Sequence, residues 1–123
     1  MNKNYRSLKL NYKIWIETDQ DKSVFGEGKW ELLKAIKETG SLKAAVEKLN
    51  ISYRRTWDNL KKIEDTLGYP IIEKSRGGAD GGQTILTPQG ERFVEVFEKF
   101  HKNFDSIINA TFDLMMKDLN QEP

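Results

Sequence analysis

Apolar and polar residues alternate along the beginning of the chain, and this period of two predicts a β-strand with one buried face. The pattern consists of Leu8, Leu10, Tyr12, Ile14 and Ile16, separated by Lys9, Asn11, Lys13 and Trp15. The next segment, "ETDQDKSVFGEG", is polar and ends in two glycines, as a loop does. Within it, Ser23–Phe25 fits a short returning strand.

The apolar period then lengthens to that of a helix, and start and stop signals divide the pattern into three helices. The first extends from about Gly28 to Thr39, and Gly40 fits the position that ends it. Ser41 can cap a second helix, "SLKAAVEKLN". After a tight connection without glycine, a third helix begins behind Ser52 and extends to about Leu67.

The segments "YPIIEK" and "QTILT" predict two short strands on either side of the glycine-rich stretch "RGGADGG". Thr87 and Pro88 then supply an N-cap and a first helical residue. The last helix extends from Pro88 to about Leu119, which is roughly 45 Å at 1.5 Å per residue.

These elements predict one mainly α domain with a small β component, a winged helix-turn-helix with an N-terminal strand and a long C-terminal dimerisation helix. A chain of 123 residues is one domain by default. The predicted parts are the N-terminal strand and loop at 1–27, the winged helix core at 28–87 and the dimerisation helix at 88–119.

On a helical wheel, the third helix has an apolar side and a polar side. The apolar side consists of Tyr53, Thr56, Trp57, Leu60, Ile63 and Leu67. Arg54 and Arg55 lie in the first turn, where the partial positive charge of the helix disfavours cations by about 0.3–1 kcal/mol each. A phosphate or a guanine edge would reverse this penalty. The alternative interpretation is a basic turn that faces solvent and binds nothing.

The layout therefore predicts a double-stranded DNA partner for the third helix. Arg55 and Asn59 are the residues expected at base edges. Phosphate contacts are expected from Arg54, Lys61, Lys62 and Arg76.

The chain also resembles the N-terminal DNA-binding domain of the ModE family of molybdate-responsive regulators, and more distantly that of LysR-type regulators. The likeness lies in "GSLKAA", "SYRRTWD", "IIEKSRGG", the second glycine pair and "LTPQGERF", with "KIWIE" and "VFGEG" nearer the start. The resemblance implies a homodimer that binds operator DNA and regulates transcription. It places the recognition helix at Ser52, Tyr53, Arg54, Arg55 and Thr56, and the wing at Arg76–Gly82, which includes Gly77 and Gly78.

In that family an oxyanion-binding region follows the DNA-binding domain, whereas this sequence stops at Pro123. We therefore expect no molybdate binding from this chain.

Apolar residues of the last helix recur with alternating spacings of four and three, which is a heptad seam. Its members are Phe93, Phe97, Phe100, Phe104, Ile107, Thr111 and Leu114. Part of such a seam would face water on a small domain, so we expect it to pair with a second copy.

The amino-acid composition excludes several kinds of site and several cellular locations. The chain has no cysteine, which excludes disulfides, thiolate metal sites and cysteine nucleophiles. The apolar stretches are too short for a signal peptide or a membrane span, so a cytoplasmic protein without membrane contact is expected. Net charge is +1, but residues 43–76 hold eight basic and five acidic residues. This local excess of basic residues weakly indicates a nucleic-acid partner.

No enzyme chemistry is predicted. The glycine-rich stretch lacks the Lys of a phosphate-binding loop and leads into a strand rather than a helix. His101 is the one histidine, and Glu64 with Asp65 are expected to be solvated helix charges. We therefore expect no catalytic residue, metal or cofactor. A protein-interaction adaptor that has lost DNA binding is the alternative function.

Overall fold

The computed structural model of the protein describes residues 7–75 and 83–122. Its elements follow the order strand, strand, three helices, strand, strand and helix. They are β1 (Trp15–Glu17), β2 (Ser23–Gly26), α1 (Glu27–Thr39), α2 (Leu42–Leu49), α3 (Tyr53–Leu67), β3 (Ile72–Ser75), β4 (Gln83–Leu86) and α4 (Pro88–Asn120). Contacts divide the chain into a larger unit, Lys13–Val96, and a smaller unit that includes the described residues 7–12 and 97–122. The prediction of one domain with parts at 1–27, 28–87 and 88–119 stays a prediction.

Capping residues begin and end the helices of the larger unit, and the sequence predicts Gly40, Ser41 and Ser52 among them. Gly40 ends α1 in the left-handed conformation with a φ of 72°, and Gly68 ends α3 with a φ of 83°. The Ser41 hydroxyl accepts a hydrogen bond from the Ala44 N–H at 3.1 Å. The Ser52 hydroxyl accepts one from the Arg55 N–H at 3.3 Å. The two serines thus stabilise the N-termini of α2 and α3, the helices of the helix-turn-helix. Each hydroxyl pairs with a backbone N–H that has no partner within the helix.

The core of the larger unit is formed by apolar side chains from helices and strands together. The largest fully buried side chains are Phe25, Leu33, Ile36, Leu42, Leu60 and Ile71. Phe93, in the first part of α4, packs edge-on against Phe25 with ring centroids 4.7 Å apart. Burial of this apolar surface is the main stabilising term for such a fold.

The predicted N-terminal strand is much shorter than the alternation suggested. Residues 8–14 are not in a strand, and β1 has three residues, all exposed. β1 pairs antiparallel with β2, which confirms the predicted returning strand. Ile16, expected on the buried face, is 43% exposed. β2 has four residues and pairs with the last part of the alternating segment. Residues 8–14 therefore stay outside the strand.

β3 and β4 form an antiparallel hairpin in the register Ile72 to Leu86 and Ser75 to Gln83. A carboxylate of α3 holds the beginning of this hairpin. The N–H groups of Ile71 and Ile72 donate to Glu64 Oε2 at 2.8 and 3.1 Å. Lys61 Nζ lies 3.1 Å from Glu64 Oε1. The side chain of Glu64 is only 9% exposed, so its prediction as a solvated helix charge is wrong.

The same backbone segment is held from its other side by the beginning of α4. Thr87 N–H donates to the Ile71 carbonyl at 3.0 Å, and the Thr87 hydroxyl donates to the Pro70 carbonyl at 2.7 Å. The hydroxyl also accepts from Gly90 N–H at 2.9 Å, as the predicted N-cap does. A Cβ on Gly90 would lie 2.1 Å from the Ile71 oxygen, so glycine is required at this close approach.

The smaller unit consists of the segment before β1 and the remainder of α4. Tyr12 OH donates a hydrogen bond to Asp105 Oδ1, and the Tyr12 ring stacks on His101 with centroids 6.2 Å apart. Phe97 is 4% exposed, whereas Phe100 and Phe104 are 45% and 40% exposed. Consecutive rings of this series lie about 6 Å apart.

Candidate nucleic-acid interface

The first turn of α3 presents two arginines at the surface. Arg54 and Arg55 are both exposed, and this turn contains no acidic residue. Because the N-terminus of a helix already carries partial positive charge, this arrangement is unfavourable for the isolated helix. An anion placed at this turn would find exposed backbone N–H groups and two guanidinium groups together.

One stripe of α3 lines two grooves that it shares with the β1–β2 hairpin and the start of α1. A groove of about 710 Å³ is lined by Arg55 and Asn59 of α3, and Lys13 and Lys29 are among its other lining residues. A smaller groove of about 360 Å³ includes Asn59 and Lys62 from α3. The polar stripe of α3 is thus bordered by further lysines, although Glu27 and Asp65 also line these grooves.

A second stripe of α3 contacts the wing strand β3. Lys61 Nζ lies 4.5 Å from the centroid of the Trp57 ring, and Lys74 Nζ of β3 lies 4.8 Å from the same centroid. Cations within about 6 Å of an aromatic face are attracted by its quadrupole. The half-buried Trp57 ring therefore connects α3 to the hairpin that follows it.

The structure brings most of the predicted DNA contacts onto the surface of α3. Ser52, Tyr53, Arg54, Arg55, Lys61 and Lys62 are exposed, and Asn59 is half-buried. Thr56 is only 7% exposed and packs inward with Leu60, so we leave it out of the interface. Arg76, Gly77 and Gly78 lie outside the described residues.

The predicted dimerisation residues divide into two groups. Phe93 packs on Phe25, and Phe97 is buried. The remaining members are exposed by 40% or more, and further apolar residues near the helix end share this exposure. These exposed residues are Phe100, Phe104, Ile107, Leu114, Met115 and Leu119.

Sequence reasoning missed Trp57 and Lys74 as parts of this surface. The helical wheel puts Trp57 on the inward side with Leu60, and the pattern around Lys74 predicts only a strand. The available signal was the cluster of lysines near a tryptophan in "TWDNLKK" and "IIEKS". Lys13, Lys22 and Lys29, which border the grooves, carried no signal of their own.

Within residues 7–75 and 83–122, no group of three or more His, Asp or Glu side chains is placed to hold a metal ion. Across the same residues, no helix is long and apolar enough to cross a membrane.

A capped helix-turn-helix followed by a two-stranded hairpin defines the protein as a winged helix-turn-helix domain. Residues 28–91 match the bacterial regulatory helix-turn-helix proteins of the lysR family. Because this match covers more than half of the chain, the chain belongs to that family, a class of DNA-binding transcriptional regulators.

Relatives from two bacteria support the predicted ModE resemblance. The chain is 30% identical over 92 residues to the molybdenum-pterin-binding protein MopB of Rhodobacter capsulatus, covering 75% of this chain and 33% of that protein. It is 29% identical over 106 residues to the transcriptional regulator ModE of Haemophilus influenzae, covering 73% of this chain and 42% of that protein. The chain therefore spans less than half the length of either relative.

A solved structure shares the fold. The DNA-binding domain of BenM, crystallised with benA site 1 DNA, superposes with a TM-score of 0.53 at 24% sequence identity, covering 70% of this chain and 91% of that domain. This confirms the predicted winged helix fold. The expectations about the dimer and about molybdate stay predictions.

Proposed function

We propose that the protein is a sequence-specific transcriptional regulator that binds operator DNA as a homodimer and carries out no catalysis. The observation that carries this proposal is the pair of exposed arginines in the first turn of α3, at the exposed end of a helix-turn-helix. The BenM domain, which shares the fold, was solved bound to DNA. Regulation of bacterial genes by this chain would take place in the cytoplasm.

We assign base contacts to Arg55 and Asn59, because they lie four residues apart on one stripe of α3. Arginine reads guanine through two hydrogen bonds, and asparagine reads adenine in the same way. Arg54, Lys61 and Lys62, with Arg76 of the wing, are assigned to phosphates, which position the protein without reading sequence.

The exposed apolar face of α4 supports the homodimer. A second copy would cover Phe100, Phe104, Ile107 and Leu114, which otherwise face water. Two-fold symmetry would present two recognition helices about one DNA turn apart, roughly 34–36 Å.

The first test is selection of bound duplexes from a random DNA pool, from which we expect a two-fold-symmetric motif. Arg55→Ala should then weaken binding to the selected operator by about 1–3 kcal/mol and relax the preference at one position in each half-site. Arg92→Ala, an exposed arginine on α4, is the control and should leave the affinity unchanged. Unchanged binding by the double variant Arg54→Ala, Arg55→Ala would contradict the assignment.

The exposed face of α4 also fits the second candidate, a protein-interaction adaptor that does not bind DNA. The salt dependence of DNA binding distinguishes the two candidate functions. Phosphate contacts make affinity for DNA fall steeply as salt is added. An adaptor would show no such binding at low salt.

A further inference from the structure

Two cationic side chains from different elements meet at one aromatic ring. Lys61 lies in the middle of α3, and Lys74 lies on β3 of the wing hairpin. Their ammonium nitrogens are 4.5 and 4.8 Å from the centroid of the Trp57 ring. Contact with the ring favours these positions of the two ammonium groups over others that a lysine side chain can reach.

The charges around this ring are not balanced. Glu64 Oε1 contacts Lys61 at 3.1 Å, but the other oxygen of this carboxylate is used by the backbone N–H groups of Ile71 and Ile72. Among the described residues, the ion pairs within 4.0 Å do not include Lys74. Since both nitrogens lie within about 5 Å of the same ring centroid, they are no more than about 10 Å apart. Like charges at such a distance repel each other, and an anion that contacted both would be attracted by both.

We propose that Trp57, Lys61 and Lys74 form a clamp for one backbone phosphate of the bound DNA, at the junction of the recognition helix and the wing. This inference rests on the proposed function. Lysine binds phosphate as a point charge with three donors, so two ammonium groups can share the oxygens of one phosphate. Lys61 and Lys74 are the binding residues, and Trp57 is a positioning residue.

The clamp differs from two independent phosphate contacts in how DNA affinity depends on salt. Each neutralised phosphate adds about 0.9 to the slope of log affinity against log salt concentration. The DNA-bound dimer carries two such clamps, so if Lys61 and Lys74 share one phosphate in each protomer, the double variant Lys61→Gln, Lys74→Gln should lower this slope by about 1.8. Two separate phosphates would give twice that change.

The loss should be the same for the selected operator and for an unrelated duplex, because phosphates carry no sequence information. The charge-preserving double variant Lys61→Arg, Lys74→Arg should retain the slope. Lys34→Gln is the matched control, since Lys34 Nζ lies 3.9 Å over the ring of Trp30 on α1, a similar contact on a different helix. We expect no change in slope from this variant.

The positioning role of Trp57 is tested separately. Trp57→Phe retains an aromatic face and should keep most of the affinity and the slope. Trp57→Leu removes the face and should weaken binding to every duplex several-fold while the preferred operator sequence stays the same. A fold defect would instead change the thermal denaturation of the protein, which is measured on each variant.

The outcomes distinguish this inference from the proposed function. If the unaltered protein binds the operator and the double glutamine variant keeps the same slope, or loses about 3.6, the clamp is overturned and DNA binding stands. Equal affinities of the phenylalanine and leucine variants overturn the role of Trp57. If the unaltered protein shows no salt-dependent DNA binding, the proposed function and the clamp both fail.

Discussion

At the scale of single residues, Gly90 has the tightest backbone contact among the glycines that the structure describes. A methyl group there would meet the Ile71 carbonyl oxygen at 2.1 Å, well inside van der Waals contact. Gly90→Ala should therefore force β3 and α4 apart and lower the free energy of unfolding by about 1–3 kcal/mol or more. Urea denaturation followed by circular dichroism measures this change.

Gly28 supplies the control for this substitution. It lies in the first turn of α1, and an added Cβ would meet nothing within 4 Å. Gly28→Ala should leave stability unchanged or raise it by up to about 1 kcal/mol, because alanine is the better helix former. Equal effects of the two substitutions would show that the contact with Ile71 is not what requires glycine at position 90.

Glu64 makes stability depend on pH. Burial alone would raise the pKa of Glu64, but hydrogen bonds from the Ile72 and Ile71 N–H groups, together with Lys61, hold this pKa below the ordinary value of 4.5. The unfolded chain therefore binds a proton more readily than the native protein. The stabilisation is complete well above pH 4.5 and is lost as the pH falls through that value toward the lowered pKa.

Glu64→Gln should accordingly reduce the free energy of unfolding at pH 7 by roughly 1–3 kcal/mol, because the buried N–H groups lose a charged acceptor. It should also make unfolding less dependent on pH below 4.5. The control is Glu38→Gln, whose carboxylate pairs with Lys48 at 2.7 Å but is exposed. Exposed pairs contribute little, so stability at pH 7 should hardly change. Parallel pH profiles for the unaltered protein and Glu64→Gln would contradict the account.

At the scale of elements, the helices and the wing strands could be predicted closely because their signals are local. Ser41, Ser52 and Thr87 act on backbone groups within three residues of themselves, and Gly40 acts on a single φ angle. Such signals do not depend on the rest of the fold. The four helices accordingly begin and end within about a residue of the predicted positions.

The N-terminal strand and part of the site could not be predicted, because they depend on distant partners. The alternation over residues 8–16 is present in the sequence, but a strand needs a neighbour to pair with, and among the described residues β2 pairs with Trp15–Glu17 alone. Likewise, the sequence around Glu64 does not distinguish it from other helix carboxylates. Its hydrogen-bond donors, the N–H groups of Ile71 and Ile72, come from the hairpin that follows the helix. The meeting of Trp57 with Lys74 arises in the same way from β3.

The exposed face of α4 leads to a prediction on this element. Ile107 is 65% exposed, so Ile107→Glu should not disturb the folded protomer, but it would place a charge in a paired apolar seam. We expect this variant to be a monomer by analytical ultracentrifugation at concentrations where the unaltered protein is a dimer. Ser106→Glu, at an exposed position turned away from the seam, is the control and should leave the dimer intact. A dimeric Ile107→Glu would place the interface elsewhere.

At the scale of the whole molecule, dimerisation and DNA binding should be coupled. A dimer engages two half-sites at once, so the second contact is made at a high effective concentration. Loss of the dimer should therefore weaken binding to a two-fold operator far more than binding to a single half-site. The small net charge of +1 agrees with attraction that comes from local groups on α3 and the wing rather than from the chain as a whole.

The backbone at the start of β3 is connected by hydrogen bonds to both α3 and the start of α4. Glu64 holds the N–H groups of Ile71 and Ile72, while Thr87 holds the carbonyls of Pro70 and Ile71. These hydrogen bonds all converge on three consecutive residues, Pro70, Ile71 and Ile72. Local unfolding should therefore involve the end of α3, the start of β3 and the start of α4 as one cooperative block. Amide hydrogens across this block would then exchange with solvent together, through a common opening, rather than one by one.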